Sequence, residues 1–176
     1  MYKKFLKEIN IEWNEIKNKI KDIIIKSIIS VNEHLILEEN VRPYLKDQSF
    51  YDLLGYDILI TDDFIPKLIE INYVPDLRIF NNLEKPIKYN LFIDTLNLIG
   101  IIPFSKNIDE PLYTKLKFNS ELEENINNAF CELERPKGEY ELIFPLKENI
   151  NRYKKYFLKN SKENIIFWDK ILSQNY

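Results

Sequence analysis

Cysteine, histidine and glycine are scarce in this chain of 176 residues. It has one cysteine, Cys131, one histidine, His34, and three scattered glycines at positions 55, 100 and 138. One cysteine cannot form an internal disulfide, and a single histidine leaves no set of the usual ligands for a zinc cluster. The glycines are too far apart to form a glycine-rich phosphate loop. Disulfide-stapled domains, zinc modules and P-loop proteins are therefore excluded, and the chain is expected to be intracellular.

Neither sign of charge predominates, and long apolar runs are absent. The 25 basic and 28 acidic residues give a formal net charge of −3, which provides no overall attraction to nucleic acid or to an anionic membrane. No apolar run approaches the roughly 20 residues that a membrane span requires. The opening residues, "MYKKFLKEINIEWNEIKNKI", are too charged for a signal peptide. We expect a soluble cytoplasmic protein that binds neither nucleic acid nor membrane.

What the sequence does contain is enough apolar material for a folded domain. Hydrophobic residues make up 45% of the chain and aromatic residues 14%, which is typical of globular proteins. A chain of this length is one domain or a piece of a larger protein. Globular order is therefore expected along most of it.

Helical periodicity and end signals predict four helices. In the first, apolar or small residues recur every three or four positions along one face. Pro86 and Gly100 mark the ends of a second helix. A third runs from about Ser120 to Glu134, and the last contains "ENIIFWDKIL". His34 is expected at an exposed helix end rather than in catalysis. The predicted core-facing stripe of the first helix consists of Trp13, Ile16, Ile20, Ile23, Ser27, Val31 and Leu35.

Between the first two helices, the residues predict a β-hairpin. Aromatic and β-branched residues dominate from Phe50 to Ile60, and residues 67–71 alternate in polarity around a "TDDFIP" turn. Pro66 suits only the start of the returning strand. The segment "GEYELIFP" is predicted as a short strand or a loop. The fold class is therefore α/β in the broad sense, more narrowly α+β, with one short antiparallel sheet surrounded by helices.

Three oxygen-bearing side chains converge on one face of this predicted hairpin. With the turn centred on Asp63 and Phe64, Asp57 lies opposite Glu70. Asn72, two residues beyond Glu70, projects from the same face. The same register places Leu59 opposite Leu68. The other face, expected to face the core, carries Ile58, Ile60, Ile69 and Ile71.

Two opposed carboxylates repel each other unless they share a proton or a cation lies between them. Aspartate, glutamate and asparagine oxygens suit Mg²⁺, which binds in proteins alongside substrate phosphates. This favours nucleotide chemistry at Asp57, Glu70 and Asn72. Two alternatives stay open at this point: a solvated face whose acids pair with lysines, and a register shifted by one residue that turns Asp57 to the other side.

The stretch "SFYDLLGYDILITDDFIPKLIEINYVPDL" resembles the end of the ATP-grasp catalytic core in the tubulin-tyrosine ligase-like family. The resemblance implies that Asp57, Glu70 and Asn72 are metal ligands that hold Mg²⁺ on ATP. It also implies a C-terminal ATP-grasp lobe over residues 1–104, followed by a helical distal extension over residues 105–176.

Further blocks are similar to the same family. They include "EWNEIKNKIKDIIIKSIISV", "RPY" at Arg42, and "LEKPIKYNLFIDTLNLIGIIPF", with Lys88 at the position of a family lysine. "ELERPKGEYELIFPLKENINRYKKYF" resembles a segment of the glutamate-adding members. One departure from the family pattern concerns the acceptor side. Val74 replaces the usual serine, and Tyr73 is expected to border the acceptor pocket.

The resemblance implies a tubulin polyglutamylase, a ligase that joins glutamate to glutamate side chains of tubulin tails. ATP would phosphorylate the acceptor carboxylate, and the incoming amine would displace phosphate to form the amide. Arg42, Tyr73 and Lys88 are the substrate-binding candidates, and Lys88 is also a candidate for phosphate contact. The expected location is the cytoplasm and the microtubule cytoskeleton, including the axoneme of a cilium or flagellum.

Two rival functions stay open. The first is a microtubule-binding fragment or paralogue without catalysis, because the family's first nucleotide-binding lobe has no counterpart in these 176 residues. The second is an ATP-grasp ligase that acts on another protein. A basic run could meet an acidic tubulin tail or form a solvated helix face. That run consists of Arg152, Lys154, Lys155 and Lys159.

Overall fold

A computed structural model of the chain describes residues 12–41, 51–100, 120–157 and 162–173. They form five α-helices, one 3₁₀ turn and a two-stranded antiparallel sheet, so the predicted α+β mixture is confirmed. In chain order the elements are α1 (Trp13–Val41), β1 (Gly55–Ile60), β2 (Pro66–Asn72), α2 (Glu84–Leu98), α3 (Glu121–Glu134), α4 (Ile150–Tyr153), a 3₁₀ turn (Lys154–Tyr156) and α5 (Lys162–Ser173).

The chain divides into two compact units. The first unit comprises Met1–Asp76 and Ile143–Leu158, and the second comprises Leu77–Leu142 and Lys159–Tyr176. The predicted boundary between residues 104 and 105 lies outside the described residues and stays a prediction. None of the helices in the described ranges combines the length and apolar character needed to span a membrane.

In the first unit, α1 buries two sides rather than the single predicted stripe. Ile16 is 1% exposed, as expected, but Ile25 is 5% exposed although it lies outside the stripe, and Val31 is 44% exposed. Ser27 bonds to Tyr56 of the hairpin, whereas Asp22 bonds to Tyr153 of α4. The stripe is wrong in part because α1 contacts a different element on each side.

The hairpin forms where the sequence predicts it, but its first strand is shorter than predicted and its second, which ends at Asn72, is longer. Strand β1 begins at Gly55 rather than Phe50, and β2 begins at the buried Pro66. The turn is closed by the Phe64 N–H, which donates to the Thr61 carbonyl at 2.9 Å, while Phe64 adopts a positive φ of 56°. The paired residues are Gly55 and Asn72, Tyr56 and Ile71, Asp57 and Glu70, Ile58 and Leu68, Leu59 and Lys67, and Ile60 and Pro66.

A β-bulge interrupts this ladder at Ile69 and corrects two predictions. Leu59 lies opposite Lys67, not opposite Leu68, because the extra residue shifts the register by one near the turn. Ile69 is 61% exposed and Ile71 is 40% exposed, so neither is the buried core residue that the sequence predicts. Leu68, rather than Ile69, pairs with Ile58 on the side toward α1.

The second unit is stabilised by contacts to α2 and by an α3–α5 pair. Helix α2 begins at Glu84, two residues before Pro86, and ends before Gly100, whose φ is +78°. Ser120 caps α3 by accepting the Glu123 N–H at 3.2 Å, which confirms the predicted start. Helices α3 and α5 meet through an edge-on contact of Phe130 and Phe167, with ring centroids 5.1 Å apart. Among the described side chains of these two helices, the buried apolar ones are Ile126, Trp168 and Ile171.

The segment "GEYELIFP" is irregular, so of the two predicted structures the loop is correct. It begins at Gly138, where φ is +56° and an added Cβ would lie 2.0 Å from the Asp94 carboxylate. Only glycine fits this approach. The Asp94 carboxylate accepts the Glu139 N–H at 2.9 Å, which fixes the loop to α2.

Candidate active site

The bulge at Ile69 determines which face of the hairpin carries Glu70. Counted from the turn, regular pairing would place Ile69 opposite Asp57 and Glu70 opposite Tyr56, on the side toward α1. Because Ile69 is extra, Glu70 instead lies opposite Asp57. The predicted pairing of these two acids is therefore confirmed, although the bulge that produces it is not apparent from the sequence.

Asn72 joins the two acids. Its amide nitrogen donates to Asp57 Oδ2 at 3.4 Å and to Glu70 Oε1 at 3.3 Å. Both carboxylates are exposed and Asn72 is half-buried. Three side chains that the sequence predicts to converge thus do so on one open face of the hairpin.

Neither Asp57 nor Glu70 forms an ion pair with a basic residue in the described part of the chain, whereas Asp22, Glu84 and Glu132 each do. Lys67 lies on the same face, opposite Leu59, but forms no such pair with Asp57 or Glu70. This disfavours the alternative in which the acids are neutralised by lysines. Two opposed carboxylates remain, with only a neutral amide between them.

The donor set fits Mg²⁺ chemically. No group of three or more histidine, cysteine, aspartate or glutamate side chains in the described part of the chain is placed to hold a metal ion. Here the two acids are joined by an amide, and carboxylate and amide oxygens are the ligands that Mg²⁺ prefers. To offer its oxygen, the Asn72 amide would rotate about χ2, replacing its N–H donors by an acceptor. Metal ligation by Asp57, Glu70 and Asn72 stays a prediction.

Gly55 leaves space for Asn72 and for Pro75, which follows it in the chain. It pairs with Asn72, and a Cβ added at Gly55 would lie 3.2 Å from the Cβ of Pro75 and 3.5 Å from the Cβ of Asn72. The absent side chain lets the "NYVP" segment close over the start of β1. Beyond Asn72, Tyr73 is 70% exposed and Val74 is 80% exposed, so both are open to a ligand.

Lys88 lies in the second unit, where α2 holds it in place. Its ammonium donates to the carbonyl of Arg78 and to Glu84 Oε2 at 3.1 Å, and lies 5.5 Å from the ring centroid of Phe80. The Phe80 N–H and the Lys88 ammonium hold the pKa of the Glu84 carboxyl below its usual value. The role of Lys88 in ligand binding is untested, and Arg42 lies outside the described residues.

A polar network on α1 is not anticipated by the sequence analysis. Asp22 accepts the buried Tyr153 hydroxyl at 2.7 Å, the Lys26 ammonium at 2.7 Å and the Arg152 guanidinium at 2.8 Å. Burial raises the pKa of Asp22, but these hydrogen bonds and charges outweigh it and lower the pKa overall. Burial and the bond to Asp22 raise the pKa of Tyr153 to about 12. No sequence pattern links positions 131 residues apart.

This network restrains part of the predicted basic run. Arg152 is paired with Asp22 and lies over the Tyr153 ring at 5.3 Å, while Lys155 lies over the Tyr156 ring at 5.1 Å. Lys159 lies outside the described residues. A cavity of about 280 Å³ adjoins the network. Its lining residues are Asn18, Lys19, Asp22, Ile23, Ile65, Pro66 and Arg152.

Comparison with known families identifies relatives of this chain. The sequence profile of the tubulin-tyrosine ligase family matches residues 2–109, more than half of the 176 residues. Tubulin polyglutamylase ttll-4 of Caenorhabditis elegans is 26% identical over 196 aligned positions, which cover 90% of this chain and 32% of the relative.

Two further relatives align with a little more than half of this chain. Tubulin monoglutamylase TTLL4 of Homo sapiens is 32% identical over 108 residues, covering 59% of this chain and 9% of the relative. Tubulin polyglutamylase ttll-4 of Caenorhabditis briggsae is 31% identical over 98 residues, covering 55% of this chain and 16% of the relative. The chain thus spans less than a third of the length of each of these relatives.

Proposed function

The chain belongs to the tubulin-tyrosine ligase family, and we propose that it is the Mg²⁺-ATP-binding, C-terminal part of an ATP-grasp core that ligates glutamate to glutamate side chains of tubulin tails. The names of its relatives, tubulin polyglutamylases and a tubulin monoglutamylase, support the reaction class. The observation that carries the proposal is the convergence of Asp57, Glu70 and Asn72 on one face of the hairpin.

These three residues would hold the metal ion and orient the nucleotide. When bound, Mg²⁺ neutralises charge on the β- and γ-phosphates of ATP. Asp57 and Glu70 supply the negative charge that attracts the ion, and Asn72 supplies a neutral oxygen. Because the hairpin is held in register by the bulge, the two carboxylates are directed to the same point before any ligand arrives. They are not nucleophiles in this proposal.

Substrate contacts are assigned to residues around this trio and in the second unit. Tyr73 follows Asn72 directly and is exposed, so we assign it to the border of the acceptor pocket. Lys88 and Arg42 are assigned to phosphate or substrate carboxylate, because guanidinium and ammonium groups pair with such anions. In Lys88, the bonds to Glu84 and to the Arg78 carbonyl would fix the direction of the ammonium.

The proposed partners are tubulin and microtubules, ATP and glutamate. The proposed site of action is the cytoplasm and the microtubule cytoskeleton, including ciliary or flagellar axonemes. The names of the relatives support tubulin as the acceptor, whereas ATP and the sites of action are proposed from the family resemblance.

The test uses the full-length protein that carries this chain, incubated with labelled glutamate, ATP and microtubules. Wild-type protein should transfer label to tubulin. Glu70→Gln should reduce transfer to background, because it removes one charge from the metal site at nearly constant volume. The matched control is Asp62→Asn, which removes one charge from the exposed turn of the same hairpin and should leave transfer unchanged.

Three outcomes would contradict the proposal. Label on a protein other than tubulin would reject the acceptor, and no label with any acceptor would reject the ligase activity. Retained transfer by Glu70→Gln, with circular dichroism showing a folded protein, would reject the assigned role of the trio.

A further inference from the structure

Tyr56 lies next to Asp57 in β1, but its side chain is directed to the other face of the hairpin. There its hydroxyl lies 2.8 Å from Ser27 Oγ of α1, in a partly buried setting. This bond links the strand that carries Asp57 to a helix that is packed into the first unit through Ile16 and Ile25. No ligand contact is needed for the bond to form.

The direction of this hydrogen bond follows from the second contact of Ser27. The Ser27 hydroxyl donates its only proton to the Ile24 carbonyl at 2.8 Å. Since a serine hydroxyl has one donor and two acceptor sites, Ser27 must accept from Tyr56. The Tyr56 O–H is therefore the donor, and Phe at this position would remove the bond while leaving Ser27 satisfied.

The hydrogen bond of Tyr56 acts between the two residue pairs of the hairpin that contain the proposed metal ligands. Tyr56 pairs with Ile71, and this rung lies between the Asp57–Glu70 rung and the Gly55–Asn72 rung. A two-stranded hairpin is only marginally stable without packing against another element, and the bulge at Ile69 further interrupts its hydrogen bonds. An anchor at Tyr56 restrains both neighbouring rungs together.

We propose that Tyr56, through its hydrogen bond to Ser27, is a positioning residue that sets the separation of the Asp57, Glu70 and Asn72 side chains for a divalent cation. This inference rests on the metal site of the proposed function. Tyr56 touches neither the cation nor the substrate. Its effect is on the affinity of the trio for the cation, not only on the stability of the fold.

The second unit provides a matched control for this inference. Thr95 Oγ1 donates to the Leu91 carbonyl at 2.7 Å and lies 2.7 Å from the Tyr140 hydroxyl. The same geometry therefore recurs, with a tyrosine donating to a hydroxyl on a helix, but no residue of the trio belongs to that unit. Tyr140→Phe removes an equivalent hydrogen bond away from the site.

The experiment is a Mn²⁺ titration of the isotopically labelled 176-residue chain, followed by paramagnetic broadening of the NMR signals of Asp57, Glu70 and Asn72. Tyr56→Phe and Ser27→Ala should each weaken Mn²⁺ binding about fivefold, the effect of losing one hydrogen bond. The double variant should be no weaker than either single one, because both changes remove the same bond. Tyr140→Phe should bind as wild type, and urea unfolding should report the stability of each variant.

Asp57→Asn separates failure of this inference from failure of the metal site. If the wild type shows no site-specific broadening, or if Asp57→Asn binds Mn²⁺ as well as the wild type does, the metal site is wrong. The positioning role of Tyr56 is then wrong as well. If Asp57→Asn loses binding while Tyr56→Phe binds as wild type, only the positioning role is wrong. Equal weakening by Tyr56→Phe and Tyr140→Phe would also overturn it, since that result indicates general loosening.

Discussion

Asp57 and Glu70 face each other across two strands, with the Asn72 amide between them. Opposed like charges destabilise a strand pair by up to about 1 kcal/mol, and a neutral amide compensates for this only in part. The geometry is therefore better suited to a bound cation than to an empty face. A cation bound between Asp57 and Glu70 would offset the repulsion between their carboxylates.

Tyr153 makes a different residue-scale contribution, because its pKa is raised to about 12 by burial and by the bond to Asp22. The folded state keeps this hydroxyl protonated to a higher pH than the unfolded chain, whose tyrosines titrate near 10. The associated stability is complete below pH 10 and is lost as pH rises through 12, by roughly 2 kcal/mol. The free energy of unfolding in urea, measured across this range, should show that loss.

The loss should be absent from Tyr153→Phe, which keeps the ring that packs edge-on against Phe144, with centroids 5.8 Å apart. The control is Tyr51→Phe, which removes the hydroxyl of a tyrosine that is 59% exposed and should leave the alkaline loss of stability unchanged. If the slope of Tyr153→Phe equals that of the wild type between pH 10 and 12, the bond to Asp22 does not carry this stability.

At the scale of elements, helix α2 starts from a reciprocal cap centred on Asn81. Asn81 Oδ1 accepts the N–H groups of Leu83 and Glu84 at 3.0 and 2.9 Å, and its amide donates to Glu84 Oε1 at 2.6 Å. Asn81→Ala should lower the free energy of unfolding by about 1 kcal/mol. Asn90→Ala, an exposed change within the same helix, should cost nothing because it removes no cap.

Urea unfolding of both variants checks this expectation. Equal stability of Asn81→Ala and Asn90→Ala would show that the cap does not stabilise α2. A higher free energy of unfolding for Asn81→Ala than for the wild type would also contradict a stabilising cap.

Elements with local end signals could be predicted from the sequence, and those shaped by distant contacts could not. Ser120 marks the start of α3 and Gly100 follows the end of α2, because caps act within one turn. The bulge at Ile69 has no such signal, since an isoleucine in an apolar alternation is typical of a regular strand. The second buried side of α1 depends on α4, more than 100 residues away.

The same distinction applies to the site. The predicted pairing of Asp57 with Glu70 is correct, but it assumes a regular register, whereas the observed pair depends on the bulge at Ile69, which the sequence does not reveal. The Tyr56–Ser27 bond could not be predicted, since its partners belong to separate elements and neither residue type identifies the other. Lys88 was predicted from resemblance alone, and its bonds to Glu84 and the Arg78 carbonyl were not anticipated.

At the scale of the whole molecule, the proposed metal ligands all belong to the first unit, whereas Lys88 belongs to the second. The metal site is therefore built by one hairpin and its supporting helix. Since the chain covers 9% to 32% of the length of the three relatives described above, ligation is proposed for the full-length protein. Metal binding is assigned to residues that this chain contains.

The most direct test is anomalous diffraction from crystals of the full-length protein grown with Mn²⁺ and a non-hydrolysable ATP analogue. We predict an anomalous peak at coordination distance, about 2 Å, from oxygens of Asp57, Glu70 and Asn72, with the Asn72 amide turned to present its oxygen. A nucleotide-bound structure whose anomalous peak lies elsewhere, with the Asn72 nitrogen still donating to both carboxylates, would contradict it.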